Sequence, residues 1–207
     1  MEPNERFPIS LGEAIFSLRA IRRVRPDPIP ENDLRDILAA AIQAPNGGNA
    51  QPWHFLAVRD PELRRELGAL YREAWWAKRA DQGIRGPEDI DRSNQTMVSA
   101  MRLADEFGEA PVVVLVCATE QGANAMGSVI PSVQNLLLAA RALGIGGTIT
   151  TLHAVVDERA KALLGIPAEA QIVYAVPLGY PKGNFGPVTR KPLAEVASID
   201  RWDNSIG

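Results

Sequence analysis

Cysteine and histidine are scarce in this chain of 207 residues. Cys117 is the one cysteine, so no internal disulfide can form, which is typical of a protein in a reducing compartment. It lies inside an apolar run, which predicts a buried, inert thiol. His54 and His153 lie far apart in the sequence, and no ligand spacing indicates a zinc site. Next to aromatic neighbours, His54 is more typical of a packed strand residue than of a catalytic base.

Long hydrophobic runs and a strong net charge are also missing. The longest apolar stretch, 111–118, is far shorter than the roughly 20 residues of a membrane-spanning helix. Residues 1–10 lack the apolar centre of a signal peptide. The formal net charge of −3 provides no global basic field for nucleic acid. We therefore expect a soluble, cytoplasmic protein with neither a membrane nor a nucleic acid as its partner.

Several nucleotide and hydrolase signatures are absent as well. No G-x-G-x-x-G follows a predicted strand and no G-x-x-x-x-G-K-[ST] occurs, so Rossmann and P-loop binding lose their main support. A nucleophile elbow of the G-x-S-x-G type is also missing, which disfavours a Ser–His–Asp hydrolase. No repeat or low-complexity block divides the chain. We predict a single domain over 1–207, with a flexible lead-in at 1–9 and an extended tail at 193–207 that docks on its own domain or on a partner.

Helices dominate the elements that the sequence does contain. Ser10 and Glu13 form a capping-box pattern that predicts a short first helix, and the β-branched run at 111–118 predicts a central strand buried on both faces. Polar residues with two glycines and a proline predict a mobile surface loop at 81–93. The result is an α+β layer fold. The predicted helices begin near residues 11, 31, 61, 94, 127 and 155, and the predicted strands cover 53–58, 111–118, 146–151 and 171–178.

A cluster of arginines near the N-terminus is the first candidate site. Its members, which lie within seven residues, are Arg19, Arg22, Arg23 and Arg25. At a helix end and turn, such a group can hold a phosphate through bidentate, charge-assisted hydrogen bonds. The alternative is a solvated basic turn that pairs with local acids such as Asp27 and Glu31.

An amide-rich loop at 44–53 is the second candidate. Its small residues let backbone N–H groups approach a ligand. The side chains of Asn46, Asn49 and Gln51 offer the donors and acceptors that read the edge of a heterocycle. The alternative is an ordinary helix-to-strand loop.

Two later segments could complete a site. The glycines and threonines at 144–151 admit a flat ring or a phosphate, although a tight helix-to-strand connection explains them equally well. The segment at 177–181 is followed by the adjacent cations Arg190 and Lys191, which could complete an anion site.

Taken together and in this order, the four segments resemble the FMN-dependent nitroreductase family. The resemblance extends over about residues 10–202, and its most specific motif is the second. It implies a nitroreductase-like α+β fold with a central, mostly antiparallel sheet flanked by helices, and an intertwined homodimer with FMN sites at the interface. The matching stretches are RAIRRVRPDPIP (19–30), APNGGNAQPWHF (44–55), GIGGTITTL (144–152) and PLGYPKGNFGP (177–187).

The resemblance also implies where the cofactor binds. The arginine motif and the basic pair correspond to the phosphate site, the amide loop to a segment that reaches the flavin from the neighbouring subunit, and 146–148 to a wall beside the isoalloxazine ring. Ala20 and Asn46 stand where the family commonly has serine. The implied cofactor-binding residues are Arg19, Ala20, Arg22, Pro45, Asn46, Gly47, Asn49, Gln51, Gly146, Gly147, Thr148, Arg190 and Lys191.

The implied activity is that of an NAD(P)H-dependent flavin oxidoreductase. It would pass a hydride through FMN to a nitroaromatic, quinone or similar conjugated acceptor in a ping-pong cycle. Because FMN carries the hydride chemistry, we assign no catalytic side chain and no metal. The alternatives are a flavin reductase, a dehalogenase, an azoline oxidase or a non-catalytic flavin-storage protein. The loop at 81–93, with Trp75 and Trp76, either covers the active site or belongs to a helix packed on its neighbour.

Overall fold

Four strands form one antiparallel sheet in the order β1-β2-β4-β3. The structure is a computed structural model that describes residues 6–152 and 154–206. Its strands are β1 (Trp53–Val58), β2 (Val112–Ala118), β3 (Gly146–Gly147) and β4 (Gln171–Gly179). The helices are α1 (Leu11–Ser17), α2 (Glu31–Ala41), α3 (Pro61–Ala80), α4 (Gln95–Glu106), α5 (Ala123–Ala142) and α6 (Ala154–Leu164). The predicted α+β fold with an antiparallel sheet is confirmed.

Strand β2 lies at the centre of the core. All of its residues are buried, as its continuous apolar run predicts. One face of the sheet packs on α2 and α5, and the other packs on α3, α4 and α6. At one end of β2, Ala118 pairs with Trp53 of β1, and at the other end Val112 pairs with Leu178 of β4. These two ends locate the candidate segments described below.

Local signals set the starts of the helices. The Ser10 hydroxyl accepts a hydrogen bond from the Glu13 amide at 3.0 Å and caps α1. Asp60 caps α3 by accepting from the Glu62 and Leu63 amides, both at 2.9 Å. Helix α5 begins at Ala123, four residues before its predicted start, because its first turn, two alanines with Asn124 and Met126, gives no clear apolar periodicity.

One predicted strand differs from the structure. The predicted strand at 146–151 is reduced to Gly146–Gly147 and an isolated bridge between Thr150 and Ala175.

Gly108 lies inside a 3₁₀ turn, Phe107–Glu109, directly after α4. It serves close packing: a Cβ on Gly68 would lie 2.8 Å from the Gly108 Cα.

The loop at 81–93 has an apolar anchor. A 3₁₀ turn forms at Pro87–Asp89, and Ile90 is buried against α4. Trp75 and Trp76 pack against the same small cluster, with their rings edge to face at 4.8 Å. The structure therefore shows the packed arrangement, and the predicted mobility of this loop stays a prediction.

The tail folds back on itself, and among the described residues no hydrogen bond or ion pair joins it to the domain beyond Pro192. Ser198 bridges to Ser205, and the Trp202 side chain is 97% exposed. Docking of this tail on a partner stays a prediction, as does the flexible lead-in, of which residues 1–5 lie outside the described residues. Within the described ranges, no helix is long and apolar enough to cross a membrane.

The close approach of α3 to the 3₁₀ turn generates a stability prediction. A Cβ on Gly108 would lie 2.7 Å from the Arg64 carbonyl oxygen, a backbone atom that cannot move aside. We expect Gly108→Ala to lower the free energy of unfolding by about 1–3 kcal/mol, as overpacked sites do. Chemical denaturation measures this change. Gly12→Ala in α1 is the control, because its Cβ would meet only the Ser10 hydroxyl at 3.8 Å; equal effects would contradict the packing argument.

Candidate functional site

The arginine cluster lies on an extended segment between β3 and the chain that leaves β4. The Ile21 amide donates to the Gly147 carbonyl at 2.9 Å, and the Arg25 amide donates to the Tyr180 carbonyl at 2.7 Å. Val24 forms a bridge with Pro181. The tertiary structure therefore brings together three of the four segments: the arginines, the glycine segment and the segment after β4.

The glycines on this surface have a packing role. A Cβ on Gly146 would lie 2.8 Å from the Ile21 side chain, and one on Gly179 would lie 2.8 Å from the Val24 side chain. Side chains at these positions would push the arginine segment off the sheet. Thr148, which follows, is 4% exposed. Close packing by itself therefore explains these glycines. This favours a tight helix-to-strand connection over a segment that is shaped only to admit a ring or a phosphate.

The four arginines divide into two pairs by their partners. Arg23 pairs with Glu106 at 3.4 Å, and Arg25 pairs with Asp27 at 3.5 Å. Arg19 and Arg22 have no carboxylate within 4.0 Å among the residues that the structure describes. The prediction of a basic turn that pairs with local acids is therefore confirmed for Arg25 only.

Glu31, the other acid considered for this role, lies elsewhere. It pairs with Arg35 at 2.7 Å and with Arg59 at 3.8 Å. The Arg35 guanidinium lowers the pKa of this carboxyl below its usual range. Glu31 therefore does not pair with Arg19 or Arg22.

The amide loop is held in shape by its own side chains and by α5. The Asn46 side-chain oxygen Oδ1 accepts from the backbone amide of Gln51 at 2.9 Å, and the Gly47 backbone amide donates to the Ser128 hydroxyl at 3.2 Å. Asn49 and Gln51 adopt left-handed backbone angles, with φ of 55° and 50°. Both of these side chains are exposed, as is Pro45, so their amides face outward.

Within one chain this loop is far from the glycine segment. The loop precedes Trp53, which pairs with Ala118, whereas Gly146 and Leu178 lie at the Val112 end of β2. Seven strand residues separate the two ends by roughly 20 Å. Helix α5 gives the same distance, since Ser128 touches the loop and the helix then runs about 20 Å before it reaches β3. A single flavin-sized ring cannot contact both segments of one chain.

The basic pair near the C-terminus remains apart from the cluster. Arg190 donates only to the carbonyl of its neighbour Thr189, at 2.9 Å, and both Arg190 and Lys191 are exposed. In the described part of the chain, no hydrogen bond or ion pair joins them to the arginine segment. Their place in one anion site with Arg19 and Arg22 stays a prediction.

Tyr71 of α3 is a residue that the sequence did not single out. Its hydroxyl shares a hydrogen bond of 2.7 Å with the Thr150 hydroxyl, two residues beyond Thr148, and its ring stacks on Phe107 at 4.1 Å. Burial raises the pKa of Tyr71, while the bond to Thr150 and the charges of Arg22 and Arg79 oppose that rise. Nothing in the sequence distinguishes it from any other aromatic residue on a helix. Ser128 was missed for a similar reason, because one serine on an apolar helix carries no motif.

The scarce reactive side chains do not converge on this surface. Cys117 is buried, as predicted, and burial raises the pKa of its thiol to about 11. His54 is exposed on the edge strand β1, so the prediction of a packed histidine is wrong for the chain on its own. Sheet edges have no second neighbour to cover them. His153 lies outside the described residues, and among those described no cluster of three or more His, Cys, Asp and Glu side chains could hold a metal.

The buried thiol generates a second prediction. Because the pKa of Cys117 is raised to about 11 in the folded protein, its reactive thiolate form is nearly absent at pH 8–9, where an unfolded thiol titrates. We expect a disulfide reagent that releases a coloured thiolate to label the native protein at least about 100-fold more slowly than the protein in guanidinium. The single cysteine makes the signal unambiguous. Rapid, stoichiometric labelling of the native protein would contradict this prediction.

Comparison with known proteins gives one family match, two relatives and one similar solved structure. The model of the family described as "Nitroreductase family" matches residues 15–180. A protein named NADH dehydrogenase from Thermus thermophilus is 32% identical over 204 residues, which cover 88% of this chain and 92% of that protein. The 5,6-dimethylbenzimidazole synthase of Rhodospirillum rubrum is 31% identical over 185 residues, 82% of each chain. The crystal structure of oxidised iodotyrosine deiodinase bound to FMN and 3-iodo-L-tyrosine is similar with a TM-score of 0.74, 25% identity and coverage of 93% of this chain and 98% of that one.

Proposed function

The chain belongs to the nitroreductase family, and we propose that it is an FMN-dependent oxidoreductase that carries a hydride from NAD(P)H to a nitroaromatic, quinone or similar conjugated acceptor. The observation that carries this proposal is the pair of uncompensated arginines beside the glycine segment. The named relatives support FMN and NAD(P)H as the redox partners. Their different reactions leave the acceptor open.

The residues present fit FMN. Arg19 and Arg22 offer two guanidinium groups that have no carboxylate partner among the described residues, which suits a phosphate, and Ala20 between them offers only its backbone. In this proposal Arg190 and Lys191 join them. Gly146, Gly147 and Thr148 are buried in the single chain, so in this proposal only their backbone would lie beside the ring. Pro45, Asn46, Gly47, Asn49 and Gln51 of a second chain would face its polar edge.

The chain's own residues bind and orient, and the cofactor does the chemistry. When bound, FMN supplies the hydride transfer in both halves of the cycle, so that NAD(P)H is oxidised and the acceptor is reduced by two electrons. The arginines would hold its phosphate end. The hydrogen bond from the Ile21 amide to the Gly147 carbonyl would keep the arginine segment beside the glycine segment.

The proposed site takes residues from two chains. Because the amide loop and the glycine segment of one chain are separated by roughly 20 Å, the loop that faces a flavin has to come from a second copy. This supports a homodimer with an FMN site at each end of the interface. Exposed apolar side chains on α1 and α5 offer a surface for that contact: Leu11, Ile15, Phe16 and Ile130.

An absorbance spectrum and a mass of the released chromophore test the proposal. One FMN per subunit, bleached anaerobically by NADH or NADPH and restored by a nitroaromatic or quinone, would support it. A protein that binds FMN but is not bleached by either nicotinamide would be a flavin-storage protein instead. A colourless protein that takes up no added FMN would overturn the proposal.

Because only Arg23 and Arg25 have carboxylate partners, we expect substitutions at Arg19 and Arg22 to lower the affinity for FMN more than substitutions at Arg23 and Arg25. We expect Arg19→Ala and Arg22→Ala each to raise the Kd for FMN about 10-fold to 100-fold, because each removes a charge-assisted bond to the phosphate. Arg23→Ala and Arg25→Ala are the matched controls, since those side chains already pair with Glu106 and Asp27. Fluorescence titration with FMN and with riboflavin measures this. Equal losses in riboflavin affinity would assign the arginines to folding rather than to the phosphate.

The two-chain site predicts complementation between two defective variants. One variant carries Arg19→Ala and Arg22→Ala, and the other carries Asn46→Ala and Asn49→Ala. If each site combines the arginines of one chain with the loop of the other, random mixing restores about one quarter of the wild-type sites, because half of the dimers are mixed and each has one intact site. FMN content after co-refolding measures the recovery. No recovery above the two separate variants would place both groups in one chain.

A further inference from the structure

A cavity of about 290 Å³ lies between the turn that connects α6 to β4 and the strands β1 and β2. Its floor is apolar, because Cys117 is buried there and Leu56, Leu164 and Ile166 pack against the same core. An apolar cavity of roughly 150 Å³ holds one benzene ring. The cavity of this chain therefore has room for one or two fused rings, and nothing in the proposed function uses it.

The walls of this cavity are held by hydrogen bonds of the chain itself. The Lys161 ammonium donates to the Ala168 carbonyl at 3.3 Å and so fixes the turn after α6. The Ile166 amide donates to the Lys161 carbonyl at 3.0 Å. On the strand side, the Thr119 amide donates to the Pro52 carbonyl at 3.1 Å. Because the cavity is formed before any ligand arrives, binding there costs little ordering of the protein.

The mouth of the cavity is polar and open to solvent. His54, Thr119 and Glu169 line it, and all three residues are exposed. Their side chains make no hydrogen bond or ion pair with another residue in the part of the chain that the structure describes. Glu169 contributes the one carboxylate of the lining. An apolar floor with a few polar groups at its mouth is the usual form of a small-molecule site.

The charges around the cavity favour a cation. Lys161, whose ammonium holds the turn, is shared between two acids, Asp157 at 2.9 Å and Glu158 at 3.6 Å. At the floor, burial raises the pKa of the Cys117 thiol, the Asp157 charge adds to that rise, and the Lys161 charge opposes it less strongly. At the mouth, the Glu169 carboxylate adds a further negative charge. A planar cation with two parallel N–H groups can bond both oxygens of that carboxylate.

We propose that this cavity binds a small aromatic molecule that carries an amidinium or ammonium group, with the ring on the apolar floor and the cation on Glu169. The inference goes beyond the proposed function, because none of the residues that line the cavity is among those assigned to FMN. It therefore holds or fails independently of the flavin chemistry. The alternative is a packing gap beneath a turn, with an acid that only keeps this turn solvated.

The experiment compares a cationic probe with a neutral probe of the same shape. Calorimetry measures the binding of benzamidine and benzamide to the full chain as purified, and methylguanidinium serves as a cation without a ring. Glu169→Gln removes the carboxylate, and Glu120→Gln is the matched control, an exposed acid next to Thr119 in the sequence that does not line the cavity. Proton NMR locates the ligand, because the chain has only two histidines and His54→Gln identifies the ring signal of His54. Thermal unfolding checks each variant's fold.

We expect one benzamidine to bind per subunit about 3-fold to 10-fold more tightly than benzamide, a modest ratio because the Glu169 carboxylate is exposed to water. Glu169→Gln should abolish this preference and Glu120→Gln should keep it. Methylguanidinium should bind at least about 10-fold more weakly than benzamidine, since it buries no ring. The His54 signal should shift with the same Kd as the calorimetry gives.

Three results would overturn the inference: benzamidine that binds no better than benzamide, a preference that survives Glu169→Gln, or binding that leaves the His54 signal in place. None of them bears on the proposed function, because FMN content and bleaching by NADH or NADPH are measured separately. A protein without FMN would contradict the proposed function and leave the benzamidine result valid.

Discussion

The backbone hydrogen bond from Ile21 to Gly147 is the contact on which the candidate site depends. It joins a segment with no regular structure of its own to the edge of a buried sheet. Gly146 makes this contact possible, because any side chain there would occupy the space of Ile21. Through this one contact, charges from the start of the chain come to lie beside residues from its last third. The cost of collecting two like charges is tolerable only where solvent or a bound anion offsets it.

The sheet imposes a second constraint. A short antiparallel sheet has two ends, and the amide loop and the glycine segment lie at opposite ends of β2. No local rearrangement brings them together without breaking the fully buried strand between them. Under the proposed function the site would therefore take residues from two chains, and association would cover the exposed apolar residues on α1 and α5.

Much of the fold follows from local patterns, and the candidate site follows from them less completely. The caps at Ser10 and Asp60 and the apolar run of β2 predict their elements well, because capping and burial periodicity act within a few residues. Motifs also identified the arginine segment. The family resemblance named Arg19 and Arg22, but the charge pattern by itself did not separate them from Arg23 and Arg25, since the acids that pair with the latter two include Glu106, which is far away in the sequence.

Composition, caps and periodicity by themselves determined the α+β class, the central buried strand and the segments rich in cations and amides. These properties depend on neighbours within one or two turns of the chain. Tertiary structure alone decided which arginines of the cluster have no carboxylate partner in the described residues, and that Tyr71 bonds to Thr150. It also decided that the amide loop lies at the far end of the sheet. Each of these depends on contacts between distant parts of the chain, which strand order and helix packing set and no local pattern records.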